Sequence, residues 1–381
     1  MQARRSRLSE GEVTMLELFE NPDWSIQTQR VIAEAAYGGA DAFEVARTAQ
    51  TIEPGNVEAW YTGWLKLADQ TETAAREALA KGELVTARQR LFRASNYYRH
   101  ADFFIPGTDP RKRENYVRVA RCFKDAIPLQ SPVVEPVQVR CGSDVYDGYF
   151  CHAKNPQARP GPAVLMLGGA DSLSEELYFF GGSEIVERGM SVLILDTPGR
   201  GSSLRMKNIL SRPDYEVPFK AAVDYLAARP EVDPERMGCV GVSMAGYYAP
   251  RGAAFEPRIK ALVLWCACYD VLEDLYEWYP PIRTQMQWVV GATSDAEARK
   301  KLANFNLKNI AQQIKCPTFI SHGLSDVVIN VEGAKQIYRE ISSKDKTLML
   351  WDGSHGGAIH CNYDNWAVSV PMMFDWLAKR L

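Results

Sequence analysis

The chain predicts an α/β protein: an eight-stranded, mostly parallel sheet behind an N-terminal all-helical segment. Two observations carry this. From about Asn21 to Leu129 apolar residues recur at helical spacing and no strand pattern competes. After Pro132 short β-branched runs alternate with helices of 10 to 17 residues, the grammar of βαβ crossovers. The expected division is residues 1–130 for a helical domain and 131–381 for the α/β one, with a helical insertion at about 270–314.

In the first segment, 56–80 carries Trp60, Trp64, Leu65 and Leu67, and Gly82 stops it. A second helix spans 84–104 before Pro106, and a third spans 111–127 before Pro128. The aromatic residues here (Trp60, Tyr61, Trp64, Phe92, Tyr97, Tyr98, Phe103, Phe104) read mainly as core. Strands are expected at 133–140, 146–153, 163–168, 191–196, 237–242, 260–268, 316–321 and 346–351. Helices are expected at 174–188, 213–229, 244–255, 331–342 and 364–380. The first two strands, joined by Gly142-Ser143-Asp144, form an antiparallel hairpin at one edge.

Composition excludes several classes. The 381 residues carry 44 basic and 47 acidic side chains, so the basic excess of a nucleic-acid binder is missing. The longest apolar run, Ala261 to Cys268, falls far short of the roughly 20 residues that span a bilayer. The opening Met-Gln-Ala-Arg-Arg-Ser-Arg leads into no apolar stretch, so no secretory signal is expected and the protein reads as soluble and cytoplasmic. Eight cysteines are scattered without a CxxC pair and read as small hydrophobes. No metal or cofactor is expected, no nucleic-acid or membrane partner, and a small molecule as substrate.

The most informative segment is Met237 to Gly246. An apolar strand runs into Gly241-Val242-Ser243-Met244-Ala245-Gly246 and a helix follows, the context in which a G-x-S-x-G bend raises a serine nucleophile. Ala245, the smallest substitute, stands where the second glycine usually lies. That bend belongs to the α/β-hydrolase architecture, in which an acid and then a histidine follow the serine in sequence. His355, after the run Lys346–Trp351 and the loop Asp352-Gly353-Ser354, is the expected base. His360, five residues on, reads as a packing residue. Asp326, in His322-Gly323-Leu324-Ser325-Asp326, is the expected orienting acid, with Asp270 as its rival and His322 as structure.

Leu167-Gly168-Gly169-Ala170-Asp171 ends the third strand. There Ala170 or Gly169, together with Met244, would donate the N–H groups of an oxyanion hole. Ser172 or Ser174 can cap the next helix. Asp171 or Glu175 can hold or protonate a substrate beside that loop. Asp196-Thr197-Pro198-Gly199-Arg200-Gly201 reads as a structural turn.

Taken in order, these motifs resemble the α/β hydrolases that include bacterial 2,6-dihydroxypseudooxynicotine hydrolase and fungal polyketide-shortening hydrolases of the yellowish-green type, with FrsA-like esterases as more distant cousins. The likeness covers roughly residues 100–381 by motif. It implies a helical lid domain, a homodimer, cleavage of a carbon–carbon bond next to a ketone or of an ester, the triad Ser243, Asp326 and His355, and an assisting acid within 171–176. A plain esterase, thioesterase or peptidase, or a non-hydrolytic cyclase or binding protein on the same scaffold, are the alternatives.

Overall fold

A computed structural model describes residues 18–381; the basic opening stretch lies outside the described residues. Five helices come first: α1 Pro22–Glu34, α2 Ala42–Ala49, α3 Val57–Ala80, α4 Leu84–Ala101 and α5 Arg111–Ala126. In α3 the buried side chains Trp60, Trp64, Ala68, Thr71, Ala75 and Ala78 share one face. Asn56 caps its first turn, and Gly82 (φ +73°) turns the chain at its end. Trp60 Nε1 donates to the His100 carbonyl of α4 at 2.8 Å. Most of the aromatics are core, as read. Phe103 and Phe104 differ, because they also line the cavity described below.

The helical segment has a core of its own, built on Trp24, Val31, Trp60 and Trp64. It also merges with the core of the sheet: Ile26, Leu91, Phe92 and Phe123 pack in one cluster with Tyr149, Tyr178 and Phe179. It is therefore tied down along its length and is not a loosely placed cover.

Eight strands follow: β1 Val134–Cys141, β2 Asp144–Cys151, β3 Gly161–Leu167, β4 Ser191–Leu195, β5 Val232–Val242, β6 Ile259–Trp265, β7 Thr318–Gly323 and β8 Lys346–Trp351. They form one sheet in the order β1-β2-β4-β3-β5-β6-β7-β8. β1 pairs β2, and β2 pairs β4, antiparallel; every other pairing is parallel. The central strands are buried along their length, as a sheet covered on both faces requires.

The remaining helices are α6 Ser174–Leu177, α7 Ser183–Glu187, α8 Gly201–Arg205, α9 Glu216–Ala227, α10 Ala245–Phe255, α11 Arg283–Val290, α12 Asp295–Leu302, α13 Val331–Glu340 and α14 Trp366–Ala378. The helix expected over 174–188 is broken by a wide turn at Tyr178–Gly182. There Gly181 (φ 138°) passes Phe374 so closely that an added Cβ would sit 2.9 Å from its ring. The strand expected over 260–268 stops at Trp265, because Cys266 turns left-handed at φ +66°. α11 and α12 lie within the insertion after β6. Among the described residues, no helix is long and apolar enough to cross a membrane.

Register brings the sheet's carboxyl ends into line: Leu167 pairs with Gly241, Val242 with Trp265, Trp265 with Ser321, and Gly323 with Trp351. The loops after β3, β5, β7 and β8 therefore meet at one rim, where open parallel sheets bind ligands.

Candidate active site

β5 delivers Ser243 to that rim. Its φ is +58°, a left-handed bend that costs a non-glycine residue about 1–2 kcal/mol and persists only where its surroundings enforce it. The enforcement is visible. Ser243 N–H donates to the Trp265 carbonyl at 2.8 Å, and Gly246 N–H donates to the Ser243 carbonyl at 2.7 Å before α10 continues. A Cβ at Gly241 would lie 2.4 Å from the Ala245 oxygen, and one at Gly246 2.4 Å from the Cys266 oxygen. Both positions must stay bare for strand and helix to close around the serine. Ala245 is tolerated because the crowding falls on its neighbour Gly246.

The histidine facing Ser243 is His360. Its Nε2 lies 3.0 Å from Ser243 Oγ and its Nδ1 2.8 Å from Asp326 Oδ2. Since a carboxylate only accepts, Nδ1 carries the proton, and Nε2 is left to receive one from the serine. His355, the residue expected in this place, is exposed and shares a 2.9 Å contact with Ser354. The reason is the path of the loop. Gly356 and Gly357, at φ +77° and +90°, turn the chain inward after His355, and the apolar pair Ala358-Ile359 leads four further buried residues, 360–363. A short turn at His360–Asn362 presents His360 to the serine. Three contacts pin that turn: Asn362 Oδ1 accepts from Trp265 Nε1 and Ser321 Oγ, each at 3.0 Å, and Cys361 N–H donates to Cys266 Sγ.

Asp326 stands where it was expected, in the loop after β7. Its Oδ1 accepts from Val328 and Ile329 N–H at 2.8 and 3.0 Å, which aims Oδ2 at His360. Burial alone would raise its pKa. His360 and His322 more than offset this and hold the carboxyl well below the usual range. Reciprocally, burial lowers the His360 pKa but Asp326 lifts it above that of an ordinary histidine. His322 donates to the Ile329 carbonyl at 3.0 Å and lies 3.3 Å from Asp326, supporting the loop. Asp270, the rival acid, instead accepts from Leu272 and Glu273 N–H.

The Gly168–Ala170 loop abuts Ser243. A Cβ at Gly169 would fall 2.7 Å from Ser243 Cβ, 2.9 Å from its Oγ and 3.4 Å from Met244 N. The backbone at 169–170 and the Met244 amide thus flank the serine, the arrangement an oxyanion hole needs. Two residues not singled out for this task brace the loop. Gln285 of α11 donates to the Ala170 carbonyl at 3.0 Å. Arg200, buried in the turn after β4, reaches the Gly168 carbonyl at 3.3 Å and Met244 Sδ at 3.2 Å, with its guanidinium over the Tyr248 ring. An arginine set between two glycines after a strand was the available signal.

The two candidate assisting acids part company. Asp171 lines the cavity, paired with Arg30 and Arg99. Burial would raise its pKa, yet the two guanidiniums hold it far below the carboxylate range, so it stands ready to accept protons' hydrogen bonds but carries no proton to give. Glu175 opens onto a different cleft, with Tyr149 OH donating to it at 2.9 Å. Burial and the facing Asp196 push it up to about 7. Neither Ser172 nor Ser174 caps α6. Asp196 does so, accepting from Ser174 N–H at 2.8 Å while its other oxygen accepts from Ser202 N–H at 2.7 Å.

The cavity above Ser243 measures about 270 Å³ and is walled by Phe103, Phe104, Phe180, Leu275, Tyr279, Ile282, Val328 and Tyr363, with Asp23, Gln27, Arg30 and Asp171 at its polar side. Among the described residues, three buried clusters have donor atoms close enough to share an ion: Cys266 with His360 and Cys361, Cys266 with His322 and Asp326, and Glu34 with His100 and Glu176. In the first, His360 is already engaged with Asp326 and Ser243, and in the second His322 and Asp326 face one another. In the third, Arg30 and Arg99 supply the positive charge. All eight cysteines are free thiols.

A parallel sheet whose central strand ends in a left-handed serine, with the partners arriving in the order acid then histidine, defines an α/β-hydrolase. Within that class the chain belongs to the FrsA-like esterase family, whose model matches residues 51–278. A model for acetyl xylan esterases matches residues 217–367. The chain is 30% identical to hydrolase acrC of Aspergillus aculeatus, over 96% of this chain and 98% of that one. It is 28% identical to 20-hydroxy-prefusarin hydrolase FUS2 of Gibberella moniliformis, over 95% and 97%. Among solved structures, 2,6-dihydroxy-pseudo-oxynicotine hydrolase superposes with a TM-score of 0.80 at 25% identity, over 92% of this chain and 95% of that one. The protein is a hydrolase.

Proposed function

We propose that the protein is a serine hydrolase acting through an acyl-enzyme on a small to medium aromatic or polyketide-like substrate, cleaving a carbon–carbon bond next to a ketone or an ester. The observation that carries this is the unbroken hydrogen-bonded line from Ser243 Oγ through His360 to Asp326 at 3.0 and 2.8 Å. In this reading His360 Nε2 takes the serine proton as Oγ attacks the carbonyl. The N–H groups of Met244 and of Ala170 or Gly169 receive the developing oxyanion. The bond to the leaving group breaks, and the His360 imidazolium returns the proton to the departing oxygen or enolate carbon. Water then attacks the acyl-enzyme with His360 again as base, releasing the acid. Because Asp171 is held as a carboxylate, the proton for a carbon leaving group comes from His360.

The aromatic walls of the cavity favour flat apolar substrates. Labelling with a fluorophosphonate tests the nucleophile: wild type should be modified at Ser243, and Ser243→Ala should neither label nor turn over. Parallel assays on p-nitrophenyl esters and aryl β-diketones test the bond class. Turnover confined to short esters refutes carbon–carbon cleavage.

A further inference from the structure

Acyl transfer accounts for Ser243, His360, Asp326 and the oxyanion loop, but it leaves Asp171 without a task. This residue follows that loop directly, and its side chain keeps 20% of its surface open. Arg30 reaches it at 2.8 Å and Arg99 contacts it too, and both guanidiniums fall on Oδ2. Oδ1 is the oxygen left for the cavity. A tie between the helices and the sheet does not require this exposure. Glu176, fully shut in, receives other nitrogens of the same two arginines at 2.6 and 3.1 Å and makes that tie unaided.

We propose that Asp171 is a substrate-binding residue whose Oδ1 accepts a hydrogen bond from a hydroxyl group remote from the carbonyl attacked by Ser243, so that the enzyme selects neutral hydroxylated aromatic or enolic molecules. The charges around the cavity exclude the alternatives. A substrate carboxylate would face Asp171 and Asp23, and among the described residues the one guanidinium that lines the cavity, that of Arg30, is already paired with carboxylates. Arg30 spends Nη1 on Asp171 and Nη2 on Glu176, and its Nε faces Glu34 at 3.8 Å. A substrate ammonium would meet the two arginines. A hydroxyl donates without bringing charge, and a carboxylate fixed in advance rewards it well above a neutral acceptor.

The position of the hydroxyl rests on the serine mechanism above, so the test separates the two. Wild type and Asp171→Asn are compared on p-nitrophenyl esters of hydroxybenzoic, methoxybenzoic and benzoic acids. Wild type should prefer the best hydroxy isomer over its methoxy analogue by about 10- to 100-fold in kcat/KM, and Asp171→Asn should shrink that ratio to a few-fold. A uniform loss across all three esters would mark Asp171 as an ion-pair anchor and overturn the proposal. Should Asp171→Asn fail to fold, inhibition of wild type by hydroxyacetophenones against methoxyacetophenones gives the same ratio without a variant, and equal affinities overturn it. Fluorophosphonate labelling reports on the serine independently. Loss of labelling with the hydroxyl preference intact would remove the mechanism and leave the binding site standing.

Discussion

The two histidines of the loop after β8 give the sharpest test of the site. His360 contacts Ser243 through one ring nitrogen and Asp326 through the other, and only 5% of its surface is exposed. Replacing it with alanine leaves the serine without a proton acceptor and strips Asp326 of its main partner. If His360 is the general base proposed above, its loss should lower kcat by about 10⁴-fold or more, which corresponds to about 5 kcal/mol of transition-state stabilisation. His355 is exposed and touches Ser354. His355→Ala should therefore keep kcat within about two-fold, as surface changes away from such features do. Both variants are assayed by steady-state kinetics on a p-nitrophenyl ester, with circular dichroism and thermal melts to separate lost chemistry from lost fold. A folded His360→Ala that keeps a tenth of wild-type kcat, or a His355→Ala that loses activity, refutes the assignment.

Three further outcomes follow from the same geometry. Asp326 raises the His360 pKa, and His360 must be neutral to act as base, so kcat/KM should fall as pH drops through that raised value. In Asp326→Asn this acid limb moves to lower pH while kcat falls about 10⁴-fold, and an unmoved limb in the pH profile counts against the pairing. Arg200→Lys can reach the Gly168 carbonyl or the Met244 sulfur but not both, so kcat should fall about ten-fold with KM changed less than about two-fold. A raised KM with kcat intact would place Arg200 in substrate binding instead. Glu175 has a folded pKa of about 7, above that of a free carboxyl. The folded state therefore binds the extra proton, and stability should decline by up to about 3 kcal/mol as pH rises from about 4.5 to about 7. Urea unfolding of Glu175→Gln across that range should show a flatter profile, and an unchanged slope refutes the attribution.

The sheet was legible because each buried parallel strand is a short apolar run between turn residues, and all eight runs are strands. The places of Ser243 and Asp326 at the rim were legible because Ser243 follows its run directly and Asp326 stands a short loop beyond its own. His360 was misread because loop position alone does not say which of two histidines turns inward. The signal lay in the flanks. His355 sits among Asp352, Ser354 and paired glycines, whereas His360 is preceded by Ala358-Ile359 and followed by Cys361, an apolar setting that belongs inside. Glu175 and Asp171 were indistinguishable in sequence because their environments come from elsewhere: Arg30 and Arg99 lie far back in α1 and α4, and Tyr116 in α5. Contacts between such distant segments leave no local pattern to read.

Phe103, Phe104, Gln27 and Arg30 reach the cavity from the first hundred or so residues, while every group in the Ser243–His360–Asp326 line comes from beyond residue 240. Part of the cavity wall thus comes from a stretch of the chain that supplies none of the three, while Phe180, Leu275, Tyr279, Val328 and Tyr363 complete it from the later stretch. Exchange of α1 and the 103–107 bend between relatives should reshape what enters without disturbing how a bond is cut, which gives this lineage a way to diversify its substrates at small risk to its reactivity.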